Sequence, residues 1–104
     1  MPVSRLDKKV GRYTMYMRMR YINWNPEKNK KLIRERGVSF EICLVKIEQE
    51  DVLDILENHN YPRQKIFVLE IEGYAYLVPF VETKEEIFLK TIIPSRKFTK
   101  RYLK

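Results

Sequence analysis

The chain has 104 residues, 44% of them hydrophobic, which suits one domain with a modest core. Lysine and arginine number 21 against 14 acids, and the net charge of +7 favours polyanionic partners. No apolar run reaches the roughly eighteen residues of a membrane span, and the opening MPVSRLDKKVGRY lacks the apolar stretch of a signal peptide. A single cysteine, Cys43, excludes a disulfide framework, so a cytoplasmic protein with no membrane partner is expected.

Residues 12–22 (RYTMYMRMRYI) alternate with period two, which predicts a strand ending near Asn23. Residues 1–18 read as an N-terminal extension entering that strand, and residues 19–104 as a single domain. Met15, Met17 and Met19 each offer an alternative start. Asn25 as N-cap with Pro26 in the first turn predicts a helix to about Arg36, stopped by Gly37. Ser39 caps a second helix (SFEICLVKIEQED), in which Phe40, Cys43, Leu44 and Ile47 share a face. Residues 52–56 fit either an extension of that helix or a short strand, and residues 57–62 form a turn.

The second half reads as strands. Residues 65–72 alternate, Gly73 turns the chain, and residues 74–82 return, with Pro79 implying an edge position or a bulge. Residues 87–93 (IFLKTII) form a third strand ended by Pro94, and Ser95 caps a last helix through Tyr102. The expected class is α+β, with N-terminal helices packed on an antiparallel β-meander and a short C-terminal helix.

The sequence has no HExxH, no GxSxG, no phosphate-cradling glycine loop and no Cys/His cluster, so neither a metal nor a cofactor is expected. RNA cleavage suits this inventory, because the 2′-hydroxyl is the nucleophile and the protein supplies only a base, an acid and positive charge. His59 is the one side chain that ordinarily titrates near neutrality, which makes it a candidate for proton transfer or else a solvated turn residue. Arg63 follows that turn and either meets a phosphate or stays an exposed charge. Lys90 lies within an apolar strand and points to solvent or into a cleft.

The strongest local signal is the run Pro94 to Tyr102. Ser95 and the first N–H groups of a helix attract anions. Arg96 offers a planar fork to a phosphate, Lys97, Lys100 and Arg101 extend a cationic track, and Tyr102 is placed to stack on a base or exchange a proton. The bland alternative is a solvated basic helix end. Trp24 and most tyrosines are better assigned to packing than to base stacking.

Two segments resemble a known family. Trp24-Asn25-Pro26-Glu27-Lys28-Asn29, followed by Gly37-Val38-Ser39-Phe40-Glu41, is similar to the WDPxKxxxNLxKHGVSFEEA opening of BrnT-type toxins of type II toxin–antitoxin systems. Ile92-Ile93-Pro94-Ser95-Arg96-Lys97 with Thr99 resembles that family's RIISARKAT segment. The resemblance runs from about Ile22 to Tyr102. It implies a RelE/ParE-like fold and a toxin that acts as a metal-independent endoribonuclease and inhibits translation. The implied partners are RNA, a cognate antitoxin of ribbon-helix-helix type, and operator DNA bound through the antitoxin complex. Three departures stand out. Arg36 replaces the family's histidine before the glycine. Glu82 or Thr83 stands where a strand arginine is expected, which leaves Lys90 and Arg63 as candidate replacements. Residues 1–18 have no counterpart.

Overall fold

The first helix starts where Asn25 and Pro26 place it. In the computed structural model, which describes residues 20–104, the Asn25 side-chain oxygen accepts hydrogen bonds from the N–H groups of Glu27 (2.8 Å) and Lys28 (3.2 Å). Helix α1 (Pro26–Arg36) then runs to Gly37, whose φ of 69° lets its N–H bond back to the Ile33 carbonyl. Ser39 caps α2 (Phe40–Glu48), which is shorter than its periodicity suggested. The cause is a Schellman closure: Glu50 takes φ 60°, its N–H bonds to Ile47, and the Asp51 N–H bonds to Lys46.

The strands are β1 (Tyr21–Trp24), β2 (Asp54–Glu57), β3 (Gln64–Ile71), β4 (Tyr74–Glu82), β5 (Glu86–Leu89) and β6 (Ile93–Pro94), and helix α3 (Arg96–Leu103) follows. The ambiguous stretch at residues 52–56 resolves into a loop and β2. The strand expected over residues 12–22 is described only from Tyr21, and its earlier part lies outside the described residues. The sheet order is β1-β5-β4-β3-β2, with β6 also on β4. The fold is α+β as expected, but the sheet is mixed: β2 to β5 form an antiparallel meander, and β1 joins β5 in parallel. The hairpin between β3 and β4 turns through Glu72 and Gly73, both at positive φ, a type I′ geometry that matches strand twist.

Alternation assigns the two faces. Phe67, Leu69, Ile71, Val78, Phe80, Ile87 and Leu89 meet Leu32, Val38, Phe40, Cys43 and Ile47 from the helical layer in one core. Phe67 stacks on Phe80 at 4.1 Å, and Trp24 on Phe40 at 5.7 Å, so Trp24 is a packing residue. Burial pushes the Cys43 thiol up to about 12, an inert structural sulfur at neutral pH.

The single strand expected over residues 87–93 is broken. Between Phe80 and Tyr76 the chain of β4 advances four residues, while their partners Leu89 and Pro94 are five apart, which is a β-bulge. Its extra residue returns Ile92 to the core face, where it is fully buried. Of the two settings its ring implies, Pro79 takes the bulge and not the edge strand. Its carbonyl accepts from the Lys90 N–H (2.8 Å), so its missing N–H faces the gap between β5 and β6, where no ladder bond is lost.

Asn29 ties the two helices together. It is buried, its amide donates to Glu41 (2.8 Å), and its oxygen accepts from the Phe40 N–H (2.8 Å), one of the orphan donors at the start of α2. Asn29→Ala leaves that donor without a partner, and urea unfolding is expected to show a loss of about 1–3 kcal/mol with an unchanged m-value.

Candidate nucleic-acid interface

Helix α3 lies on the face of the sheet opposite α1 and α2, held by three polar anchors at helical spacing. The Ser95 N–H bonds to the Ala75 carbonyl (2.9 Å), and its hydroxyl oxygen accepts from the Phe98 N–H (3.2 Å). The Thr99 hydroxyl donates to the Ser95 carbonyl (2.7 Å) and accepts from the Ala75 N–H (2.8 Å), buried under the helix. The Tyr102 hydroxyl donates to the Asp54 carboxylate, itself buried and also accepting from the Ile55 N–H. With residues 95, 99 and 102 turned inward, Arg96, Lys97, Lys100, Arg101 and Lys104 all face solvent.

The outward side of α3 is therefore wholly cationic. Arg96, Lys97, Lys100 and Arg101 form no ion pair among the described residues, whereas Arg20, Lys46 and Lys65 are engaged by Glu82, Asp51 and Glu70. An aromatic ring sits within the cationic set. Phe98 has the Lys97 ammonium 5.7 Å and the Arg101 guanidinium 5.8 Å from its centroid, and it stacks on Tyr102 at 6.0 Å. Lys90 belongs to the same side of the sheet. It is exposed, follows β5 at the bulge, and places its ammonium 5.4 Å from the Phe88 centroid.

The remaining candidates lie elsewhere. His59 and Arg63 are exposed in the turn between β2 and β3, at the Gln64 end of the sheet. Helix α3 begins beside Ala75, which pairs with Glu70, six residues along β3 from Gln64 and so about 20 Å away. One phosphate cannot be shared by Arg96 and His59 over that span. Ser95 uses its oxygen as the helix cap, and Tyr102 is bound to Asp54 rather than open to a substrate. The structure thus brings together Arg96, Lys97, Lys100 and Arg101 on one side of α3, with Lys90 on the same face of the sheet, and sets Arg96 apart from His59 and Arg63.

Arg36 and Glu82 both have structural uses. Arg36 donates to the Ile92 carbonyl at the bulge (2.5 Å), and Glu82 binds Arg20 (2.5 Å) and Lys65 (3.3 Å). The sequence alone does not mark Asp54, Phe88 or Phe98 as site residues. Phe98 was visible as an aromatic inside a basic run, but nothing local marked Asp54. Among the described residues no three acidic, His or Cys side chains gather as metal ligands, and no helix is long and apolar enough to cross a membrane. Comparison with family models, curated protein sequences and solved structures gives no match.

Burial, and then the bond to Asp54, pushes the Tyr102 phenol up to about 12. The folded chain therefore holds this proton more tightly than the unfolded one, so the contribution is intact below pH 10 and lost between about 10 and 12. Alkaline unfolding is expected to steepen across that window and to flatten in Tyr102→Phe. An ultraviolet titration that shows no late-titrating tyrosine missing from the variant would contradict the assignment.

Proposed function

We propose that this chain is the toxin of a bacterial toxin–antitoxin pair, a metal-independent endoribonuclease of BrnT type with a RelE-like fold that acts on RNA in the cytoplasm. The observation that carries this reading is the cationic outer side of α3, fixed to the sheet through Ser95, Thr99 and Tyr102 and free of carboxylates. It coincides with the segment that resembles the family's closing motif. Long-range attraction from the net charge of +7 brings the polyanion in, and Lys97, Lys100 and Arg101 hold its backbone.

In this reading Arg96 clamps the scissile phosphate. The RNA 2′-hydroxyl passes its proton to water as its oxygen attacks phosphorus, the bond to the 5′-oxygen breaks to leave a 2′,3′-cyclic phosphate, that 5′-oxygen takes a proton from water, and the guanidinium stabilises the charge that builds on the non-bridging oxygens. Tyr102 serves as a support for the helix, with its proton held by Asp54. An antitoxin of ribbon-helix-helix type neutralises the toxin, and the complex binds operator DNA, as the resemblance implies.

One observation favours a second reading, a nucleic-acid-binding module without catalysis. Among the described residues no carboxylate or imidazole is bonded to, or shares a helix turn with, Arg96, and His59 stands about 20 Å away along the sheet.

Tightly induced expression in bacteria separates the two. The wild type is expected to arrest growth and fragment cellular RNA, and Arg96→Ala to lower the cleavage rate about a hundredfold or more. Intact RNA and normal growth with folded wild-type protein present would leave only the binding module.

A further inference from the structure

Among the described residues, the basic face carries two aromatic rings outside the hydrophobic core cluster. The core cluster takes in Phe40, Phe67, Phe80 and Trp24, all on the side of α1 and α2, and leaves out Phe88 and Phe98. Both rings are half-buried on the α3 side of the sheet, and each is accompanied by cations: Phe98 by Lys97 and Arg101, Phe88 by Lys90. A surface that reads phosphates alone has no need of aromatic rings. Each ring leaves part of its surface open to water instead of burying it in a small core, so their position asks for another partner. Phe98 also stands where the family's closing segment has alanine, so the family pattern does not account for it.

We infer that Phe98 and Phe88 are base-stacking stations and that the ligand of this face is single-stranded RNA. This deepens the reading of the basic helix as an RNA site and rests on it. In a duplex each base is covered by its neighbours, and only an unpaired base turns its π-face to a side chain. Unpaired bases lie on the two rings, while Lys97, Lys100, Arg101 and Lys90 neutralise the flanking phosphates. Ala75, where α3 is tied down, and Val81, opposite Phe88, are six residues apart on β4, about 20 Å, a span that takes several nucleotides.

The test uses the full chain and a fluorescein-labelled 2′-O-methyl oligouridylate, whose blocked nucleophile resists cleavage. Its counterpart is a strand of equal length with the bases removed, and a 2′-O-methyl duplex is measured beside both. Anisotropy titrations at several salt concentrations compare wild type with Phe98→Leu and Phe88→Leu, which keep most of the side-chain bulk. The wild type is expected to bind the base-bearing single strand about tenfold or more tighter than the base-free one, since each stacked base contributes about 5- to 150-fold. Each leucine variant reduces that ratio, and the dependence on salt is unchanged because no cation is lost. Equal affinity of the wild type for the two strands overturns the inference. So does a ratio that survives in both variants, or a duplex bound as tightly as the single strand. A variant that binds the base-free strand like wild type is thereby shown to be folded, and if one fails to fold, the other variant and the wild-type ratios decide. Absence of salt-sensitive binding to any strand is a distinct result that overturns the RNA reading itself.

Discussion

One extra residue between Leu89 and Pro94 decides where the C-terminal segment of the chain, residues 90–104, goes. A regular strand from Leu89 would turn Thr91 into the core and Ile92 out to solvent, because side chains alternate strictly along an extended chain. The bulge at Lys90 and Thr91 restores Ile92 to the core, and two contacts hold it there: the Lys90 N–H on the Pro79 carbonyl, and Arg36 from the end of α1 on the Ile92 carbonyl. Pro79 fits because the partner strand is interrupted opposite its missing N–H. From that point Pro94 pairs with Tyr76, the Ser95 N–H reaches Ala75, and α3 is launched across the back of the sheet.

Helix α3 would be a poor helix in isolation. It has eight residues and no acid in its first turn, and Arg96 and Lys97 sit at the positive end of its own dipole. Short helices are marginal in water, and cations at an N-terminus cost a few tenths of a kcal/mol each or more. What holds it is tertiary: Ser95 as cap, Thr99 bridging to the Ala75 N–H, and Tyr102 reaching Asp54 on the edge strand β2. A local rule broken with such compensation is characteristic of a functional surface. A bound phosphate would relieve the repulsion, which is a physical reason for an anion to prefer this end of the molecule.

The parts of the fold that were legible in the sequence are those written in local chemistry. Asn25-Pro26, Gly37 and Ser39 announce two helices, Gly73 announces a hairpin, and Ser95 after Pro94 announces α3. What was not legible depends on residues far apart in the chain. The parallel pairing of β1 with β5 joins Tyr21 to Glu86, and the bulge reflects a choice between Thr91 and Ile92 that only the assembled core makes. The site divides in the same way. The run from Ser95 to Tyr102 showed its charge directly, and alternation of inward and outward residues then follows from helix geometry. His59 was a candidate by its chemistry alone, and chemistry carries no information about position. Asp54, in a stretch with no clear periodicity, gave no sign that it would receive Tyr102.

The two sides of α3 make separable demands on the sequence. The inner set, Ser95, Thr99 and Tyr102, has fixed partners, and changing one removes an anchoring hydrogen bond: the buried Ala75 N–H loses its acceptor if Thr99 goes, and Asp54 loses one of its donors if Tyr102 goes. The outer cations form no ion pair among the described residues and touch only the Phe98 ring, so substitutions there change the folded state little and act on whatever the surface binds. Stability and binding are therefore written on alternate residues of one eight-residue helix. Phe98 is the exception that joins them, because its ring touches the inner Tyr102 and the outer Lys97 and Arg101 at once. A ligand stacked on Phe98 would press directly on the Tyr102–Asp54 contact, and occupancy of the outer face would then tighten the anchor that fixes the helix.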